Sequence, residues 1–249
     1  MLEHRALWRA LVAEYLGSTL LTAVVIGSGI AAQTLSPKQL GLELFQNAAA
    51  TAAGLFAIIL MFGAISGAHF NPVISAVDAA LGGIAWRRAA LYLPAQVAGC
   101  VSGAVLANIM YSRAAISIST HIRATPAHFV SEVVATAGLV LVIFALARTG
   151  KRTAIPAAVG AYIGAAYFFT SSTSFANPAI AIGRSFSNTF AGIAPSSVPS
   201  FVAAEILGGF LAFALIRYLY PSGSHNDVAR VLPEDLGVEH FRHDDEGPS

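Results

Sequence analysis

Two asparagine–proline pairs, Asn71-Pro72 and Asn177-Pro178, are the residues whose type and setting point most directly to chemistry. Each follows a broken polar stretch and opens a short apolar pattern, in SGAHFNPVISAVDAALGG and SSTSFANPAIAIGRSFSNTF. Asn is a favoured helix N-cap, and Pro is tolerated at the first helical position, where its missing N–H would be unpaired anyway. Each stretch therefore reads as an extended segment that turns into a short helix at Asn71 or Asn177. From Asn71 to Gly82 such a helix rises about 16 Å, roughly half of a ~30 Å hydrocarbon core. An Asn that caps through its side-chain oxygen keeps its amide NH2 as a donor. Two opposed helix N-termini, each carrying about +0.5 charge, would place a positive field and two donors at one point. Water there turns its oxygen to both amides, which interrupts a proton wire and repels cations. Neutral hydroxylated solutes still find partners.

The rest of the chain is built to hold such segments inside a membrane. Only 11% of the 249 residues are Asp, Glu, Lys or Arg, against 56% hydrophobic, where soluble domains carry about 25% charged residues. Residues 1–220 hold six acids and twelve bases, and seven of the thirteen acids fall in the last 29 residues. A net charge of +1 gives no footprint for nucleic acid. The single cysteine, Cys100, excludes a disulfide framework or a cysteine-based metal site. No metalloprotease, phosphate-loop or nucleophile-elbow motif is present, so no enzyme activity, cofactor or metal is expected.

Apolar runs near 7–30, 42–62, 89–111, 126–147, 154–170 and 199–220 predict six spans, and 63–85 and 171–195 are the broken stretches. The chain also repeats. AEYLGSTLLTAVV at Glu14 answers SEVVATAGLVLVI at Glu132, an offset of 118; the Asn-Pro pairs lie 106 apart; AQVAG at Gln96 answers AEILG at Glu205, an offset of 109. A longer first loop around Ser36-Pro37-Lys38 accounts for the shrinking offset. Three spans per copy is odd, so the second copy is inverted. The expectation is an all-α membrane protein, six transmembrane helices plus two re-entrant half-helices in an inverted repeat. Residues 1–220 form the channel domain, with repeats about 7–111 and 126–220, and 221–249 form a polar, disordered cytoplasmic tail. Ten of the fourteen bases fall on the side of the termini, which predicts a multi-pass inner-membrane protein with both termini cytoplasmic.

Together, the inverted repeat, SGAHFNP and FANPA resemble the major intrinsic protein (aquaporin/aquaglyceroporin) family over residues 7 to 220. The resemblance implies one pore per subunit, a homotetramer in lipid, and a central motif of Asn71, Pro72, Val73, Asn177, Pro178 and Ala179. It also implies that Glu14 and Glu132 hold the re-entrant loops, in keeping with intramembrane carboxylates facing protein or water. Two departures stand out. Val73 replaces the alanine of the first motif, and Ile180 stands where water-selective members carry an arginine after the second. Arg184, one turn on, either reaches the lumen or snorkels at the interface. Counting from the motifs puts Thr51, Ala165 (or Gly164), Ser174 and Ile180 at the outer filter. Such a ring predicts a wide, fairly apolar constriction without fixed charge. The stretch from TSFANPAI to GRSFSNTFAGIAP is also similar to a bacterial subgroup found with arsenic-resistance genes. That likeness implies metalloid hydroxides such as arsenite or methylated arsenicals as cargo, beside glycerol-like polyols and water.

Other features carry two readings each. His69 lines the inner vestibule, where it titrates, or is satisfied by loop backbone. The pairs Gly63/Gly67, Gly99/Gly103 and Gly160/Gly164 mark either a dimer face or crossings within the monomer. A water-selective channel and an inverted-repeat secondary transporter are the alternatives to a solute channel, the latter requiring a charged midplane site.

Overall fold

A computed structural model describes residues 2–221 of the chain, so the tail expected at 221–249 lies, Pro221 apart, outside the described residues. Eight α-helices and no strand are formed among them: α1 Leu2–Leu35, α2 Leu40–Ser66, α3 Pro72–Ala80, α4 Trp86–Met110, α5 Pro126–Arg148, α6 Ile155–Phe169, α7 Pro178–Arg184 and α8 Val198–Leu219. Short 3-10 turns at Arg152–Ala154 and Pro195–Ser197 lead into α6 and α8. α1, α2, α4, α5 and α8 are long and apolar enough to cross a membrane. α6 has 15 residues, about 22 Å at ~1.5 Å per residue, and falls short of that length by itself. α3 and α7, with nine and seven residues, are the half-helices.

Packing follows an internal two-fold. α1 packs on α4 as α5 packs on α8, and α1 on α2 as α5 on α6. α4 lies against α7 as α8 lies against α3, while α2 meets α6 and α3 meets α7 across the pseudo-axis. The offset between repeats shrinks for a reason other than loop length. α2 has 27 residues and α6 has 15, and that difference is the largest contribution to the fall of the offset from 118 to 106. The loop at 36–39 is short.

Polarity runs opposite to that of a soluble domain. Glu14, Glu132 and Glu205 are fully buried inside the bundle, whereas Leu60, Ile122, Phe210 and Tyr218 are more than half exposed on its outside. Apolar side chains face lipid and the scarce charge is spent inward. With little hydrophobic drive between helices in lipid, contact depends on close approach. Gly99 and Gly103 of α4 lie against the Tyr15 and Thr19 carbonyls of α1, and Gly160 and Gly164 of α6 lie against Ala52 of α2. Two of the three glycine pairs are thus crossings inside the monomer. In the third, Gly67 ends α2 at φ 93, a left-handed cap.

Val73 shows how the fold accommodates its departure from alanine. Its side chain packs onto α8 at Gly209, where an added Cβ would collide with Val73 Cγ1. Gly209→Ala is therefore expected to destabilise the protein by about 1–3 kcal/mol. Val73→Ala in the same chain should restore most of that loss, because the two sites share one space. Thermal unfolding in detergent measures both; a double variant that melts as low as Gly209→Ala alone would sink this packing account.

Candidate functional site

Both re-entrant segments use the same local chemistry. Asn71 caps α3, its Oδ1 accepting from Val73 N–H at 2.9 Å, and Asn177 caps α7, accepting from Ala179 and Ile180 N–H at 3.0 and 3.3 Å. Each side-chain amide then crosses to the other loop. Asn71 Nδ2 donates to the Ala176 carbonyl and Asn177 Nδ2 to the Phe70 carbonyl, both at 2.7 Å. The half-helix N-termini are thereby locked to each other, with both asparagines at most 5% exposed. The donor arrangement is more economical than two free NH2 groups, since one N–H of each amide serves the lock.

The loops before the caps are strained in register. Ala68 and Phe70 have φ of 52 and 51, and Ser174 and Ala176 have φ of 51 and 49. These are matching positions, 106 apart, in a left-handed conformation that costs non-glycine residues of order 1–3 kcal/mol each. Two buried carboxylates hold them. Glu14 accepts from His69 N–H at 3.0 Å and Phe70 N–H at 2.7 Å, and also from Ser66 Oγ and Gln96 Nε2. Glu132 accepts from Phe175 N–H at 2.9 Å and Ala176 N–H at 2.7 Å. Gln96 also donates to Ser75 Oγ at 3.0 Å, while Glu205, its counterpart, accepts from Asn177 N–H at 3.0 Å. Both stand in the repeated AQVAG and AEILG; Glu205 is a candidate for the charged midplane site of the transporter alternative, whereas Gln96 carries no expected role.

A narrow cavity of about 70 Å³ runs past this lock, lined by Thr51, His69, Asn71, Ser174, Asn177 and Ile180 among others. It meets a wider vestibule of about 750 Å³ that opens on the face where α1 begins and α8 ends. His69 belongs to both spaces. Its Nε2 lies 3.3 Å from Asp78 Oδ2 and its Nδ1 3.0 Å from Ser75 Oγ, so side chains rather than loop carbonyls orient it.

Beyond the lock, toward the opposite (far) face, the ring differs from the sequence expectation. Ala165 is exposed on the outside of α6 and is not part of the lining; Val159, Ile163 and Tyr167 face the cavity instead. Residues two apart on a helix point about 200° apart, so a count that fixes height on α6 can still choose the wrong side. Gly164, the alternative, packs against Ala52. Tyr167 Oη and Thr51 Oγ1 are 3.1 Å apart, and Ser174 Oγ is buried with no hydrogen-bond partner among the described residues. Arg184 is 2% exposed and lines the same cavity. Its guanidinium carbon sits 3.4 Å from the Phe175 ring centroid, and its Nε donates to the Ala191 carbonyl. Arg123 reinforces the arrangement from the far-face loop. It bonds the Gly192 and Phe190 carbonyls at 2.7 and 3.0 Å and approaches the same ring at 5.5 Å. The far end of this cavity thus carries a large side chain and a charged one, unlike the wide, uncharged ring expected. The available signals were the 159–163–167 spacing and an arginine within an apolar re-entrant helix.

Comparison with known proteins agrees with this architecture. The model of the family described as "Major intrinsic protein" matches residues 1–187. The chain belongs to the major intrinsic protein family. It is 49% identical over 213 residues to the aquaglyceroporin AqpS of Rhizobium meliloti (strain 1021), covering 86% of this chain and 91% of that protein. It is 29% identical over 150 residues to the glycerol uptake facilitator protein of Streptococcus pneumoniae (strain ATCC BAA-255 / R6), over 55% of this chain and 63% of that one. Its fold matches the X-ray structure of the aquaglyceroporin from Plasmodium falciparum with a TM-score of 0.67 at 18% identity, covering 84% of this chain and 95% of that one. The protein is a membrane channel for small solutes and not an enzyme.

Loss of a loop-holding carboxylate should be costly. Glu132→Ala leaves the Phe175 and Ala176 N–H groups buried and unpaired, at about 1–3 kcal/mol each. The expected result is a markedly lower melting temperature and loss of solute flux in proteoliposomes. Melting and flux equal to the parent protein would show that the carboxylate does not hold the loop.

Proposed function

We propose that the protein is a passive pore for small uncharged hydroxylated solutes. These are glycerol-sized polyols and, in the same chemical class, metalloid hydroxides such as arsenite and methylated arsenicals, with water passing as well. Protons and ions are excluded at the paired half-helices, with Asn71, Pro72, Val73, Asn177, Pro178 and Ala179 as the central motif. Thr51, Tyr167, Ser174, Ile180 and Arg184 form the selective constriction and His69 lines the inner vestibule. The subunit works in a homotetramer of the inner membrane, its termini cytoplasmic.

One observation carries this reading: the reciprocal asparagine lock beside a narrow cavity that both asparagines line. The remaining amide N–H groups and the two helix N-termini make the centre electropositive, so cations are repelled there. On the far side, the Thr51, Tyr167 and Ser174 hydroxyls offer acceptors as well as donors, while Ile180 supplies an apolar wall. A polyol has one apolar and one hydroxylated side and matches such a ring. The buried Arg184 adds a second positive barrier and selects further against cations.

The small cavity and the presence of Tyr167 and Arg184 favour a second reading, a water-selective channel. Stopped-flow light scattering of proteoliposomes with water, glycerol, urea and arsenite decides between them. Glycerol and arsenite entry well above protein-free vesicles is expected; water flux alone would overturn the solute reading. Arg184→Ala should raise glycerol entry severalfold and admit methylammonium, with water flux retained. Unchanged exclusion of methylammonium would show that Arg184 is not a barrier.

A further inference from the structure

A second concave space lies on the outside of the protein, between α4 and α8. It encloses about 580 Å³, within the roughly 300–1,000 Å³ of small-molecule sites. Every residue lining it is apolar. Pro72 and Val73 of α3 with Pro178 and Ile182 of α7 form its floor, and Leu93 and Phe210 stand on the flanking helices. The floor is therefore the back of both half-helices whose front faces the pore. α4 and α8 are both membrane-crossing by length and composition and only 39% buried, so the groove opens toward the hydrocarbon.

Its end toward the terminal face has a different chemistry. Trp86, which starts α4, and Phe213 of α8 line the groove there. Exposed Arg87 follows Trp86, and exposed Arg217 sits with its guanidinium carbon 5.7 Å from the Phe213 ring. An apolar trough ending in an aromatic and arginine rim has the polarity of a lipid, with chain below and phosphate above. A second copy of the chain suits the rim poorly. From His4 onward among the described residues, Glu14, Glu43, Glu132 and Glu205 are buried, and Asp78 faces His69 in the vestibule. A like face brought against this one would set arginine against arginine, with no acid of the described residues from His4 onward between them.

We infer that this groove binds one anionic phospholipid, an acyl chain lying behind α3 and α7 and the phosphate held by Arg217 and Arg87. The lipid braces the two half-helices from outside and so couples membrane composition to the pore. The binding site stands independently of which solute the pore carries.

Native mass spectrometry of the full chain in detergent, with phosphatidylglycerol or phosphatidylcholine added, tests it. One phosphatidylglycerol should remain bound per chain where phosphatidylcholine does not. Arg217→Gln, on the exposed surface and harmless to folding, should weaken phosphatidylglycerol about fivefold, as expected for one arginine near an anionic headgroup. Ala76→Leu with Ala80→Leu, which fills the groove from two of its exposed lining positions, should abolish retention while the helical circular dichroism spectrum stays intact. Equal retention of both lipids, or wild-type retention by either variant, overturns the proposal. So does an oligomer that the filling substitutions dissociate, since the groove would then be occupied by a second copy.

Discussion

Backbone N–H and C=O groups in the middle of a bilayer have no water to turn to, and unpaired groups there cost several kcal/mol each. Every notable feature of this protein answers that constraint at one place, where two non-helical segments meet. Glu14 and Glu132 accept the N–H groups of the loops, and Asn71 and Asn177 cap the half-helices while their amides bond the opposing carbonyls. Polar groups that would be a liability in lipid are satisfied by one another. The residual donors and the two helix N-termini are then presented to the pore.

Symmetry makes this possible with few residues, and its imperfections are informative. In the first repeat Gln96 donates to Glu14, whereas in the second Glu205 stands in the corresponding place and accepts from Asn177. Val73 meets Gly209, while Ala179 is fully buried without such an accommodation. α6 is twelve residues shorter than α2. The longer Ser171–Asn177 approach to α7 fits that shortening, and it brings Ser174 and Phe175 to the far-side constriction. There Phe175 and the Arg123 clamp hold Arg184 against the cavity wall.

Much of this was legible in the primary structure. Low charge, six apolar runs and two matched Asn-Pro pairs specify a membrane bundle with half-helices, because span length and capping chemistry are local properties. The loop-holding carboxylates were legible through the family resemblance, in keeping with intramembrane acids needing an internal partner. The filter was not. Ala165 sits at the right height on α6 but on its outer side, and Tyr167 takes the place facing Thr51. A short error in loop length rotates a helix position by about 100° per residue, so counting along a chain cannot assign a face.

Sequence alone thus determined the class of the protein, its inverted repeat and the asparagines that cap its two half-helices. These follow from hydropathy, helix-capping preference and repetition, each readable without knowing what packs on what. Only the tertiary structure decided the character of the constriction. An isoleucine in place of an arginine suggested a pore without charge, yet Arg184 reaches that space from the next turn, stacked on Phe175 and bonded to Ala191. Whether a side chain lies in a lumen or at an interface depends on the aromatic ring and carbonyl that receive it, and those come from elsewhere in the fold.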